Sequence, residues 1–383
     1  MIRRGAISQG LKRALGGAAI AAALPTCAAA ADAPFTVAIR ETADFLQASS
    51  GQRPGETTLN KLQVSATLDG AAIGLPGVSL HGQVFRTNGE SLTSRTGDVQ
   101  TISNIEALST DRLMEAWAEK TWPTLAVRAG LLDLNADFDS ITPAGLFLDS
   151  SHGIAPDLSK SGQNGPSIFP VSAAGLRLAW TPSPRWTVMA AAFDGVSGDP
   201  DHPKAFAAVR LNASDGALLI GQTDYHLSKD AQVSFGAWTY TAATPGPAGD
   251  LSRDHGVYAF VEGPIPHADG WQGWLRAGRA EAKAQAVSGY LGAGVMHKGF
   301  WKIRPDDQFG IAFARAEIGG PARRASGLPH AETTWEATYQ LQLRNWLAVQ
   351  PDLQYVRHPS SAAKLPDAFV FGVRLALSAG YPR

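Results

Sequence analysis

Glu115, Trp117 and Glu119 fall on alternate positions of one stretch, and Arg128 and Arg177 hold the matching polar positions of the next two. Two carboxylates, an indole and two guanidinium groups supply no nucleophile. Together they can replace part of the hydration shell of a polyhydroxylated solute: the charged groups meet hydroxyls, and the ring meets C–H faces. Asn104, Glu106, Asp224, Arg276, Glu336, Asp352 and Arg374 add single polar groups in other stretches, with His226, Tyr258 and Glu262 as weaker additions. There is no G-x-S-x-G, no H-E-x-x-H and no Ser/His/Asp grouping, so catalysis is not expected. His226 lacks a second His or Cys at ligand spacing, so neither a metal nor a cofactor is expected. Asp137 and Asp139 are hard oxygen donors, but their spacing alone does not define a calcium site.

These side chains share a surface only if the chain alternates. Over 332–343, Trp335, Ala337, Tyr339, Leu341 and Leu343 take one face, while Thr334, Glu336, Thr338, Gln340 and Gln342 take the other. Over 346–357, Leu347, Val349, Leu353 and Tyr355 oppose Gln350, Asp352 and Gln354. Period-two alternation marks a strand. A polar face turned into a dry core would bury unpaired amides and carboxylates at several kcal/mol each. With water on the polar face and lipid on the apolar one, nothing is unpaired. The expected fold is therefore all-β, a transmembrane antiparallel barrel.

Sixteen strands are expected: 35–47, 59–69, 78–87, 111–122, 124–133, 173–181, 185–193, 216–228, 231–242, 255–263, 272–281, 287–298, 307–317, 332–343, 346–357 and 367–377. Short and long connections alternate between them, as periplasmic turns and extracellular loops should. An even count puts both termini on the periplasmic side. Segment 204–212 is left in a loop by this parity. Met114, Ala116, Ala118, Leu125, Val127, Ala129, Leu176, Leu178 and Trp180 are assigned to lipid, which turns the acidic and basic groups beside them inward. Trp122, Trp180, Trp186, Trp271, Trp346, Tyr339 and Tyr355 lie near strand ends, where aromatic girdles form. The longest connection, 134–172, is expected to fold inward and narrow the lumen, because sixteen strands enclose a wide channel. Segment 88–110, with Asn104 and Glu106, is expected to join it.

Composition sets the compartment. Arg3, Arg4, Lys12 and Arg13 precede the apolar run Ala14 to Leu24, and Ala28-Ala29-Ala30 offers a cleavage site, so residues 1–30 read as an export signal. Residues 31–383 then form one barrel domain without cysteine, since Cys27 is the only one. Of 33 basic and 34 acidic residues, removing those four basic ones leaves 29 against 34, which gives no basic excess for nucleic acid. Charged residues make up 17% and mean hydropathy is −0.08, with no later apolar run able to form a membrane helix.

Several stretches resemble the carbohydrate-selective porins of the OprB type. They are Ser103-Asn104-Ile105-Glu106-Ala107, Thr142 to Ser151 (T-P-A-G-L-F-L-D-S-S), Phe193-Asp194-Gly195, Gly216 to Gly221, Arg304-Pro305-Asp306-Asp307 and, most clearly, Trp346 to Pro359. Each is weak alone, but their shared order from about residue 60 to the last strand is specific. The resemblance implies a sixteen-stranded channel of the Gram-negative outer membrane through which small sugars diffuse passively. Its expected partners are those sugars, outer-membrane lipid and the barrel-insertion machinery, with a monomer and a trimer both open. The alternative is a porin for other small polar solutes without sugar selectivity. One departure is that Ser378 to Arg383 follow the expected last strand, leaving Tyr381 as the stand-in for a C-terminal aromatic.

Overall fold

Alternation closes the chain into a cylinder. The computed structural model describes residues 33–382, so the expected export signal lies outside the described residues. The strands are β1 (Phe35–Ala48), β2 (Gly55–Asp69), β3 (Val78–Asn88), β4 (Thr110–Thr121), β5 (Leu125–Leu132), β6 (Ala173–Ser183), β7 (Trp186–Asp194), β8 (Ala217–Ser228), β9 (Ala231–Pro245), β10 (Leu251–Pro264), β11 (Trp271–Ala280), β12 (Val287–Lys298), β13 (Gln308–Ile318), β14 (Ala331–Arg344), β15 (Leu347–Arg357) and β16 (Ala368–Tyr381). Each pairs antiparallel with its sequence neighbours, and β1 also pairs with β16, so no sheet edge is left open. Segment 204–212 forms no strand.

The two faces separate cleanly. Along β10, Asp254, Tyr258, Phe260 and Glu262 are buried, while Val257 and Val261 between them are exposed. Outward rows elsewhere carry Leu176, Leu178, Leu275, Phe369 and Phe371. An apolar exterior around a polar interior has its groups satisfied only with lipid outside and water inside. Aromatic rings gather at the short-turn end: Trp186 lies 4.9 Å from Tyr225, and Trp271 lies 5.1 Å from His297. Such rings mark the membrane interface.

Several details depart from the sequence expectation, among them β10, which starts at Leu251 and not at the expected 255. Met114 was assigned to lipid but is 1% exposed. A bulge explains it: the β3–β4 register passes from Gln83 opposite Glu115 to Val84 opposite Leu113, so Met114 is the extra residue. The last strand runs on to Tyr381, whose partner is Val37, because the first residues of β1 need a neighbour for the barrel to close. At its other end, β2 starts at Gly55, four residues before the expected 59.

Inward glycines make room for inward rings. A Cβ at Gly294 would sit 1.9 Å from the Trp274 ring, and one at Gly236 would sit 2.1 Å from Tyr258. Each ring lies across the bare backbone of the neighbouring strand. This flattens the wall and leaves space for the segments that enter the lumen.

Candidate permeation site

The connection over 133–172 packs against the inward rows of half the barrel. Phe138, Leu146, Phe147 and Leu158 join Trp238, Tyr258, Phe260 and Trp274 in one apolar cluster. Phe147 and Trp274 have ring centroids 5.2 Å apart. Wall carboxylates catch the loop backbone: Glu262 accepts from Thr142 N–H at 2.7 Å, and Glu336 accepts from Leu148 and Asp149 N–H at 2.6 and 3.0 Å. Gln350 donates to the Leu146 carbonyl at 2.7 Å. Such donors offset part of the cost of burying a carboxylate.

Arginines catch the loop side chains. Arg276, 1% exposed, binds Asp139 through two nitrogens at 3.1 and 2.9 Å and also holds Asp157. Arg128 and Arg177 reach Asp137 at 3.0 and 2.8 Å, and both contact Glu119, at 2.8 and 3.2 Å. Asp137 and Asp139, the potential hard-ion donors of the sequence, are thus neutralised by guanidinium groups. Burial pushes the Asp149 carboxyl up to about 8 and the His152 imidazole down to about 3. The packed part of the loop therefore carries fewer charges than its composition suggests.

Segment 89–109 lies beside it. Glu332 accepts from Val99 and Gln100 N–H at 2.9 and 3.1 Å, and Gln354 donates to the Ile102 carbonyl at 3.0 Å. Glu106 accepts from Leu92 N–H at 3.1 Å and bonds Ser91. Arg374 forms a bidentate pair with Asp44 at 2.6 and 2.7 Å and also donates to Asn104 at 2.9 Å. Asn104 N–H in turn donates to the Leu148 carbonyl at 2.7 Å, which joins the two segments.

On the opposite side lies a cavity of about 420 Å3. Its barrel wall is Arg40 and Thr42 from β1, Lys61 and Gln63 from β2, and Arg374 from β16. Asn104 and Glu106 face it from one loop, and Asp133, Asn135, Lys160 and Phe169 from the other. The Lys61 ammonium stands 4.1 Å from the centre of the Phe169 ring. Cationic donors, amides and a ring surround one space of small-ligand size.

The twelve residues singled out in the sequence are therefore distributed over different tasks. Asn104, Glu106 and Arg374 line the cavity. Arg128, Arg177, Arg276 and Glu336 turn inward but bind loop groups, while Glu119 pairs with Arg128 and Arg177 on the neighbouring strands. Asp352 accepts from Gln354 at 3.0 Å, and Asp224 from Gln222 at 2.8 Å. Trp117 donates to Glu115 at 3.0 Å, with His81 stacked at 4.9 Å and Arg128 4.3 Å from its ring centre. His81 comes from β3 and Arg128 from β5, so the ring is flanked on both sides. Sequence reasoning missed Arg40, Lys61, Gln63 and Phe169. Arg40 and Lys61 alternate in phase with Asp44 and Gln63, a signal present in β1 and β2 but obscured by Glu41, whose side chain shares the outward row with Phe45.

Asp133 gives the cavity a pH dependence. Burial, reinforced by the neighbouring Glu115 carboxylate, pushes its carboxyl up to about 7, against the pull of Lys61. Below that value Asp133 is neutral and one fewer carboxylate faces the cations of the wall; above it, its negative charge is added to that of Glu106. Reversal potentials measured in a salt gradient should show anion preference falling as pH rises from about 6 to 8. Asp133→Asn should make that fall smaller than in native protein.

A family model described as carbohydrate-selective porin, OprB family, matches residues 53–378. The chain is similar to Porin B of Pseudomonas aeruginosa, at 23% identity over 76% of this chain and 75% of that protein. Among solved structures it is similar to OprB of Pseudomonas putida at high pH, with a TM-score of 0.78 at 18% identity, covering 90% of this chain and 94% of that one. It is also similar to the anion-selective porin from Comamonas acidovorans, with a TM-score of 0.58 at 11% identity over 90% and 99% of the two chains. These structural likenesses establish the barrel fold.

Proposed function

This chain belongs to the carbohydrate-selective porin family, passive channels of the Gram-negative outer membrane, and we propose that small sugars cross it through the cavity between β1, β2, β16 and the two inserted segments. The observation that carries this reading is the pairing of Arg40, Lys61 and Asn104 with the Phe169 ring around one space. Hydroxyls find donors and acceptors on the polar sides, and an apolar sugar face finds the ring. Binding must stay weak enough for release, since conduction needs exit as well as entry. Arg374 and Glu106 complete the lining. The barrel encloses its own path, so a monomer and a trimer would permeate alike per chain.

A second reading, passage of small polar solutes without sugar selectivity, is favoured by the excess of cations on the cavity wall. Liposome swelling separates the two. Proteoliposomes should swell faster in monosaccharides than in neutral amino acids of matched size. Equal rates at equal size would leave only the unselective channel.

A further inference from the structure

We infer that the outward face of β13, β14 and β15 at the extracellular rim is a docking site for a phosphorylated lipid of the outer leaflet. Phe313, Trp335 and Tyr355 are register partners across these three strands, with ring centroids 5.7 and 5.9 Å apart. They form a continuous ladder facing lipid. Two residues nearer the extracellular end, the next outward row reads Arg315, Thr333 and Arg357, again register partners. Arg315 donates to the Thr333 hydroxyl at 3.4 Å, which fans its guanidinium along that row.

The row has anion-binding capacity to spare. Neither guanidinium enters an ion pair among the described residues. Of the nearby carboxylates, Glu317 binds Arg279 at 2.7 Å, and Asp367, which accepts from the Tyr355 hydroxyl and His358 N–H at 2.6 and 2.8 Å, offsets part of the Arg357 charge without pairing with it. Arg324, exposed in the loop above, adds positive potential to the same rim. Guanidinium forks match phosphate oxygens, and aromatic rings one row deeper match the boundary between headgroup and acyl chain. A soluble anion would need only the arginines. The ladder beneath them selects an anion that carries hydrocarbon.

The test uses the full-length barrel reconstituted in phosphatidylcholine vesicles doped with lipid A or with its dephosphorylated form, followed by detergent extraction and a count of glycolipid retained per barrel. Native protein should retain lipid A, and R315Q/R357Q should lose roughly tenfold of that retention. The dephosphorylated lipid should be retained no better by native protein than lipid A is by the double variant. R253Q, at an exposed rim arginine of β10 away from the ladder, should behave as native. Each single exchange should give an intermediate loss, which covers failure of the double variant to assemble. Equal retention by native and variant barrels, equal retention of both lipids, or full displacement by excess inorganic phosphate would overturn the assignment.

Discussion

Arg276→Ala should open the channel. Arg276 is the single cation between Asp139 and Asp157, at 1% exposure on the inner wall of β11. Removing it leaves two carboxylates buried against apolar neighbours, at a cost of about 3–5 kcal/mol if they stay in place. The cheaper response is for the stretch from Asp139 to Asp157 to leave the wall and take its carboxylates into water. The sixteen strands do not depend on that stretch for closure, so the barrel should still assemble. A sixteen-stranded barrel without an inserted element encloses an aqueous pore, so single-channel conductance should rise by about twofold or more, with added current noise. Arg276→Lys should fall between the two, because an ammonium cannot reproduce the two-nitrogen grip on Asp139. Native conductance in the alanine variant would mean that the apolar cluster around Phe147 holds the loop unaided.

Arg40→Glu combined with Lys61→Glu should invert ion preference. Both cations line the cavity and neither enters an ion pair among the described residues, whereas Arg374 is engaged by Asp44. Each exchange moves the wall by two charges. At separations near 4 Å and an effective dielectric of 20, one charge pair is worth about 4 kcal/mol, so even a largely screened remainder exceeds the ~1.4 kcal/mol of a tenfold change in preference. In a salt gradient the reversal potential should change sign from anion- to cation-preferring. A potential that keeps its sign would place the rate-limiting constriction elsewhere in the lumen.

How much of this was legible in the sequence follows from what each pattern reports. Strand positions were readable because alternation of Leu, Val and Trp with Gln, Thr and Glu is a local property set by the two solvents of a barrel wall. The phase error at Met114 came from a bulge, which adds a residue without leaving a mark in composition. The inward direction of Glu119, Arg128, Arg177 and Arg276 was readable for the same reason as the strands. The binding of the three arginines to Asp137, Asp139 and Asp157 was not, because a charge on a polar face looks the same whether it meets water or a loop folded over it. The position of the cavity was hidden for a related reason: it is the space that the loops leave beside β1 and β2, a global consequence of where Phe138, Phe147 and Leu158 find apolar partners. Phe169 could not be distinguished from the loop's other apolar residues without knowing which side of the lumen it closes.

The claim on which the rest depends is that solute passes through the cavity lined by Lys61 and Phe169, beside their mutual contact. The most direct measurement is sugar-induced block of ion current through single channels, comparing Phe169→Ala with Trp117→Ala. Loss of the ring should weaken block at Phe169 by about tenfold, on the scale of one lost stacking contact, and should leave the flanked Trp117 variant close to native. Unchanged block in Phe169→Ala, or a larger loss in Trp117→Ala, would contradict the assigned path.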